Sequence, residues 1–148
     1  MNVEKLIKTK KQVPIEQKTI IHILLVNNKI NESIAHALKP FGVSVQQFNV
    51  LRILRGQNGK PANLSTLNER MVTKMSNTTR LVDKLLLKGY VDRTICPSNR
   101  RKIEISITDK GQIELQKMDI AMTNVEKDLL NRFSNEDLDQ MNILLNKF

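Results

Sequence analysis

The sequence predicts a single, mainly α-helical domain of six helices with one small β-hairpin, and three observations predict it. Apolar residues recur at helical spacing along most of the chain, in segments that open on capping residues and close on glycine or proline. The period changes to two only from Val91 to Ile107, where Val91, Arg93, Ile95, Ile103, Ile105 and Ile107 alternate with polar residues. A length of 148 residues, 40% of them hydrophobic, supplies one sizeable core but not two.

Taken in order, Ile20, Ile23, Leu24, Ile30, Ile34, Ala37 and Leu38 mark a long first helix from Pro14 to about Leu38, closed by Pro40 and Gly42. Ser44 with Gln47 forms a capping box for a second helix, whose apolar face is Phe48, Leu51, Ile53 and Leu54 and which stops at Gly56 and the Asn58-Gly59-Lys60-Pro61 turn. Thr66 with Glu69 offers a similar start to a short third helix running to about Met71 or Val72. A fourth, from about Met75 to Lys88, buries Thr78, Val82 and Leu85 and ends at Gly89.

The hairpin follows, with Cys96-Pro97-Ser98-Asn99-Arg100-Arg101 at its turn. Thr108-Asp109 caps a fifth helix to about Arg132, and Ser134 with Asp137 caps a sixth that carries Leu138, Met141, Leu144, Leu145 and Phe148. Apolar residues on the terminal helices exceed what one chain can cover, which predicts a partner chain. Residues 1 to 13 read as a mobile basic N-terminus.

The net charge of +9 is unevenly spread: +6 over residues 1–69, +7 over 70–102 and −4 over 103–148. The basic centre therefore coincides with the fourth helix and the hairpin. Ser76, Asn77, Arg80, Lys84 and Lys88 share one polar face of that helix, short side chains first and cations later. Arg100, Arg101 and Lys102 extend from the hairpin tip, where a long cation has no core to pack against. An ordinary solvated face is the plain alternative for Arg80, Lys84 and Lys88.

Other classes fall away. Aromatic residues make up 3% of the chain and Trp is absent, which leaves almost nothing to stack single-stranded bases. Cys96 alone forms no disulfide within the chain, and His22 and His36 stand too far apart on one helix to share a metal. Cys96 reads as structural or incidental, with a regulatory thiol as the alternative, and Tyr90 and the six Met read as packing, with a Met-lined ligand cavity as theirs. No nucleophile, phosphate loop or metal spacing points to an enzyme, and no cofactor is called for. No apolar run approaches the roughly 20 residues of a membrane span, and no secretory signal opens the chain, so a cytoplasmic location is expected.

Helix, helix, short helix, helix and basic hairpin is the order of a winged helix-turn-helix, in which the second helix of the pair enters the major groove and the hairpin reaches the flanking backbone or minor groove. Asn77 is suited to an adenine edge, Arg80 to guanine or phosphate, and Ser76 and Thr79 to phosphate oxygens or bases. Three segments add a resemblance: Thr79-Arg80-Leu81-Val82-Asp83-Lys84-Leu85, then Lys88-Gly89-Tyr90-Val91-Asp92-Arg93, then Asn99-Arg100-Arg101 leading to Ile107-Thr108-Asp109-Lys110-Gly111. In these the chain resembles the MarR family of bacterial transcriptional regulators, from about Pro14 to the C-terminus. Asn99 departs from the aspartate common at that wing position, while Arg101 matches the arginine two residues on.

The resemblance implies a triangular homodimer dimerising through the first, fifth and sixth helices. It implies binding to a pseudo-palindromic double-stranded operator, repression, and release by a small phenolic or lipophilic effector or an oxidant. The expected division is one domain over 14–148, with the winged helix-turn-helix at about 44–108 and dimerisation helices at about 14–38 and 109–148. The DNA-binding residues expected are Ser76, Asn77, Thr79, Arg80, Lys84, Arg100, Arg101 and Lys102. The rival reading is an antirepressor-like module that uses the same helices to bind protein instead.

Overall fold

The computed structural model describes residues 2–72, 77–95 and 103–148. Among them lie seven α-helices and a two-stranded antiparallel sheet, one helix more than the sequence predicts. The additional one, α1 (Val3–Leu6), falls in the basic N-terminal stretch, where Asn2 Oδ1 accepts from the Lys5 amide at 2.9 Å. Lys18 Nζ meets Glu4 Oε1 at 2.9 Å and, by that hydrogen bond, holds the Glu4 carboxyl below its ordinary pKa.

The long helix α2 (Ile15–Leu38) starts behind Pro14 and ends in a 3-10 turn, Lys39–Phe41, that Pro40 favours. Next, α3 (Val45–Arg55) carries both halves of its capping box: Ser44 Oγ accepts from the Gln47 amide and Gln47 Oε1 from the Ser44 amide. Helix α7 (Asn135–Leu145) repeats the device with Ser134 and Asp137. Helix α6 (Asp109–Leu130) opens on Thr108, whose hydroxyl accepts from the Gly111 amide at 3.0 Å.

The start of the short helix after α3 differs from the sequence reading. Helix α4 spans Leu64–Arg70 and its cap is Asn63, whose Oδ1 accepts from the Thr66 amide at 2.9 Å. Thr66 therefore sits in the first turn instead of preceding it. Asn63→Ala is expected to cost about 1 kcal/mol, lowering the melting temperature by roughly 2–4 °C, whereas Thr66→Ala should cost clearly less. Thermal unfolding followed by circular dichroism separates the two.

Helix α5 (Thr78–Leu87) leads into β1 (Val91–Ile95), which pairs with β2 (Ile103–Ile107) in the register Val91 to Ile107, Arg93 to Ile105 and Ile95 to Ile103. Ala62, just before α4, exchanges two 2.8 Å backbone hydrogen bonds with Ile105 and so extends the sheet by one bridge. Helix α3 lies at the centre, packed by α2, α5, α6 and β2. Its Phe48, Leu51 and Leu54 meet a core that includes Leu67, Val82, Leu85, Val91, Ile105 and Met118.

The core thus belongs to the helix-turn-helix, its hairpin and the flanks of α2 and α6. Outside it, Ile20, Leu24 and Ile30 on α2 and Met141, Ile143, Leu144 and Leu145 on α7 are exposed, and no residue of α7 is buried. Among the described residues no helix is long and apolar enough to cross a membrane.

Candidate nucleic-acid interface

Helix α5 is amphipathic by construction. Val82 and Leu85 are buried, Leu81 and Leu86 half-buried, and Thr79, Arg80, Asp83, Lys84 and Leu87 face outward. Arg80, Lys84 and Leu87 follow one another at spacings of four and three, which places them on one ridge. The side chains of Arg80 and Lys84 have no ion pair or hydrogen-bond partner among the described residues. Two cations one turn apart, left unpaired on an exposed helix, favour contact with an anionic backbone.

The helix begins three residues later than the periodicity predicts. Asn77 is its N-cap, with Oδ1 accepting from the Arg80 amide at 3.3 Å. Thr78, buried as expected, donates its hydroxyl to the Asn68 side-chain oxygen and so fastens α5 to α4. Asn77 remains exposed at the entering end of the helix, where base edges are read, but its carbonyl oxygen is already in structural use. The signal for a cap was present in the sequence, an Asn immediately before a helical run.

Lys88 leaves the ridge on which helical spacing puts it. Gly89, at φ +69°, takes the left-handed conformation that ends the helix, and the Gly89 and Tyr90 amides return to the Leu86 and Leu85 carbonyls at 2.8 and 3.0 Å. Lys88 Nζ then lies 3.4 Å from the Phe41 carbonyl oxygen and 5.9 Å from the centre of the Tyr90 ring. Its place on the ridge is taken by Leu87, 89% exposed.

The hairpin is held against the same helix. Arg93 on β1 meets Asp83 on α5 at 3.2 Å, so the first strand runs beside the flank of the cationic ridge. Ser76, Cys96, Arg100, Arg101 and Lys102 lie outside the described residues. Of the expected site, the structure therefore brings together Asn77, Thr79, Arg80 and Lys84 on α5.

Behind the interface, an open groove of about 1190 Å³ separates the C-terminal half of α2 from the start of α3, lined by Asn31, His36, Gln46, Gln47 and Met71 among others. Its lining combines amide side chains with apolar residues such as Val43, Val45 and Met71. Among the described residues no three His, Cys, Asp or Glu side chains gather closely enough to hold a metal.

An exposed cationic helix held by a helix-turn-helix core, with a strand pair braced at its side, defines a winged helix-turn-helix protein. Comparison with known proteins agrees: residues 43–103 match the MarR family. The transcriptional regulator PapX of Escherichia coli is 25% identical over 122 residues, 82% of this chain and 74% of its own. A MarR-like transcription regulator from Bacillus cereus shares the fold with a TM-score of 0.81 at 24% identity, over 89% of this chain and 94% of the other. A mutant MarR from Escherichia coli, solved with operator DNA, superposes with a TM-score of 0.76 at 21% identity, over 99% and 98% of the two chains. Over residues 43–103 the chain is similar to MarR-family proteins, and the relatives it matches are named as transcriptional regulators.

Proposed function

We propose that the protein binds a pseudo-palindromic double-stranded DNA operator as a homodimer and represses transcription, with release by a small ligand. The observation that carries this reading is the unpaired Arg80 and Lys84 ridge beside the braced hairpin, in a chain whose fold matches a protein solved on operator DNA. A helix about 10–12 Å across fits a major groove of about 12 Å. In this reading Ser76, Asn77, Thr79 and Arg80 face bases and the nearer phosphates, Lys84 the backbone, and Arg100, Arg101 and Lys102 the phosphates or minor groove beyond. The winged helix-turn-helix is assigned to residues 44–108 and dimerisation to 14–38 and 109–148.

Dimerisation is supported by the apolar residues left open on α2 and α7, which a second copy would cover. Leu144→Glu with Leu145→Glu is expected to turn the dimer into a monomer in sedimentation, because burying two unpaired carboxylates costs more than the interface gains there. The groove between α2 and α3 is the assigned effector site, and its amides favour a ligand with hydrogen-bonding groups around an apolar body. Action in the cytoplasm, on chromosomal DNA, completes the reading.

Fluorescence anisotropy with a labelled duplex tests it. Each neutralised phosphate contributes roughly −0.9 to the slope of log affinity against log salt, so four cations per protomer give a slope of roughly −7. A slope near zero removes the DNA reading and favours the antirepressor-like module.

A further inference from the structure

The segment that follows α5 is gripped from both sides. Its three consecutive carbonyls, at Lys88, Gly89 and Tyr90, all accept from the start of α6: from Lys110 Nζ at 2.8 Å, Thr108 Oγ1 at 2.7 Å and the Thr108 amide at 3.1 Å. From the other direction, the Lys88 side chain reaches the Phe41 carbonyl in the turn that ends α2. The Tyr90 ring, itself buried, has both ammonium groups near it, Lys88 Nζ at 5.9 Å and Lys110 Nζ at 5.5 Å from its centre.

The crossing of α6 over this segment has no slack, since a Cβ at Gly111 would overlap the Tyr90 carbonyl oxygen. Among the described residues, the opposite end of α5 carries the Asn77 cap bond and the Thr78 hydroxyl link to α4. The helix that faces outward is thus fastened to both long helices at its C-terminal end.

We propose that Lys88 and Lys110 are positioning residues: they clamp the end of α5 to α2 and α6, so that the dimer interface sets the separation and tilt of the two DNA-reading helices. Neither lysine needs to touch nucleic acid to do this. The inference rests on the homodimeric DNA-binding reading and adds to it the element through which a change at the dimer helices would reach the reading helix. Hydrogen bonds and packed side chains between rigid elements can carry coupling of that kind, and the three carbonyl bonds with the Lys88 bond make such a connection here.

The test uses the full-length protein with Lys88→Met and Lys110→Met, which keep the apolar stems and remove the ammonium groups. In a Cys96→Ser background, a spin label at Leu87→Cys, chosen for its exposure, reports the distance between the two protomers' α5 helices without DNA. A narrow distance distribution is expected for the parent, broadened in both Met variants and restored by Lys88→Arg and Lys110→Arg.

On DNA, affinity for the selected operator should fall roughly tenfold in each Met variant, since one hydrogen bond of modest net worth is lost in each of two protomers. The penalty for lengthening the spacer by one base pair should shrink while the salt slope stays unchanged. Unbroadened distances with an unaltered spacer penalty overturn the clamp. A salt slope flattened by roughly 1.8 in Lys88→Met would place that ammonium on phosphate and overturn its positioning role. A parent protein that binds no duplex overturns the DNA reading alone, and the label distances still decide the clamp.

Discussion

Gly111→Ala is expected to destabilise the protein by about 3 kcal/mol, lowering its melting temperature by roughly 6–12 °C, although Ala is favoured over Gly inside helices by about 1 kcal/mol. The reversal of sign comes from a crossing. Gly111 lies in the first turn of α6, pressed onto the backbone of Tyr90 so that a methyl group would overlap the Tyr90 carbonyl oxygen and come within 2.9 Å of Ile107 Cγ1. Neither neighbour can move aside. Tyr90 is held by its amide bond to the Leu85 carbonyl and by the Thr108 amide on its own carbonyl, and Ile107 is paired with Val91 in the hairpin.

Gly56→Ala provides the contrast, because Gly56 has an ordinary helical φ of −66° and its Cβ would approach the Ile53 carbonyl no closer than 3.4 Å. It should be neutral or slightly stabilising. Melting curves in which Gly111→Ala matches or exceeds the parent would contradict the close approach of α6 to the hairpin.

Arg80→Ala with Lys84→Ala is expected to flatten the salt slope by roughly 3.6, since two phosphate contacts are removed from each of two protomers at about 0.9 apiece. At moderate salt the part of the loss that comes from Lys84 should be uniform across duplex sequences, because backbone contacts carry no base information. Asn77→Ala should behave differently. If Asn77 reads a base, discrimination falls at one position per half-site by about 1–3 kcal/mol, with little change in slope. Loss of its cap bond should cost a further ~1 kcal/mol in thermal stability. An unchanged slope in the double variant would remove α5 from the interface.

Much of this arrangement was legible in the sequence because its signals are local and reciprocal. Ser44 with Gln47 and Ser134 with Asp137 each place both partners of a capping box three residues apart, and both form. The hairpin was legible for a similar reason, two alternating runs of matched length: Val91 and Ile105 are buried as that alternation requires and Ile103 and Ile107 half-buried, whereas Ile95, near the turn, is exposed. Helix α4, at Leu64–Arg70, is too short for periodicity to locate its start, so Thr66 with Glu69 imitated a cap that Asn63 supplies.

What stayed hidden depends on the chain meeting itself far away. Lys88 is one helical turn past Lys84 on any projection, yet it turns toward Phe41 because the helix has ended and the chain reverses at Gly89. Nothing near Gly111 in sequence announces that Tyr90 passes against it. The cationic ridge itself was legible from spacing alone, and its neighbour Arg93 was not, because the ion pair with Asp83 joins two elements across a turn.

Selection of the wild-type protein against a library of random duplexes, followed by sequencing of the retained fraction, tests the central claim most directly. A dimer presenting two α5 helices should enrich an inverted repeat whose half-sites lie about 10 base pairs apart, centre to centre, on one face of the duplex. A retained fraction with the same sequence composition as the input library would contradict it.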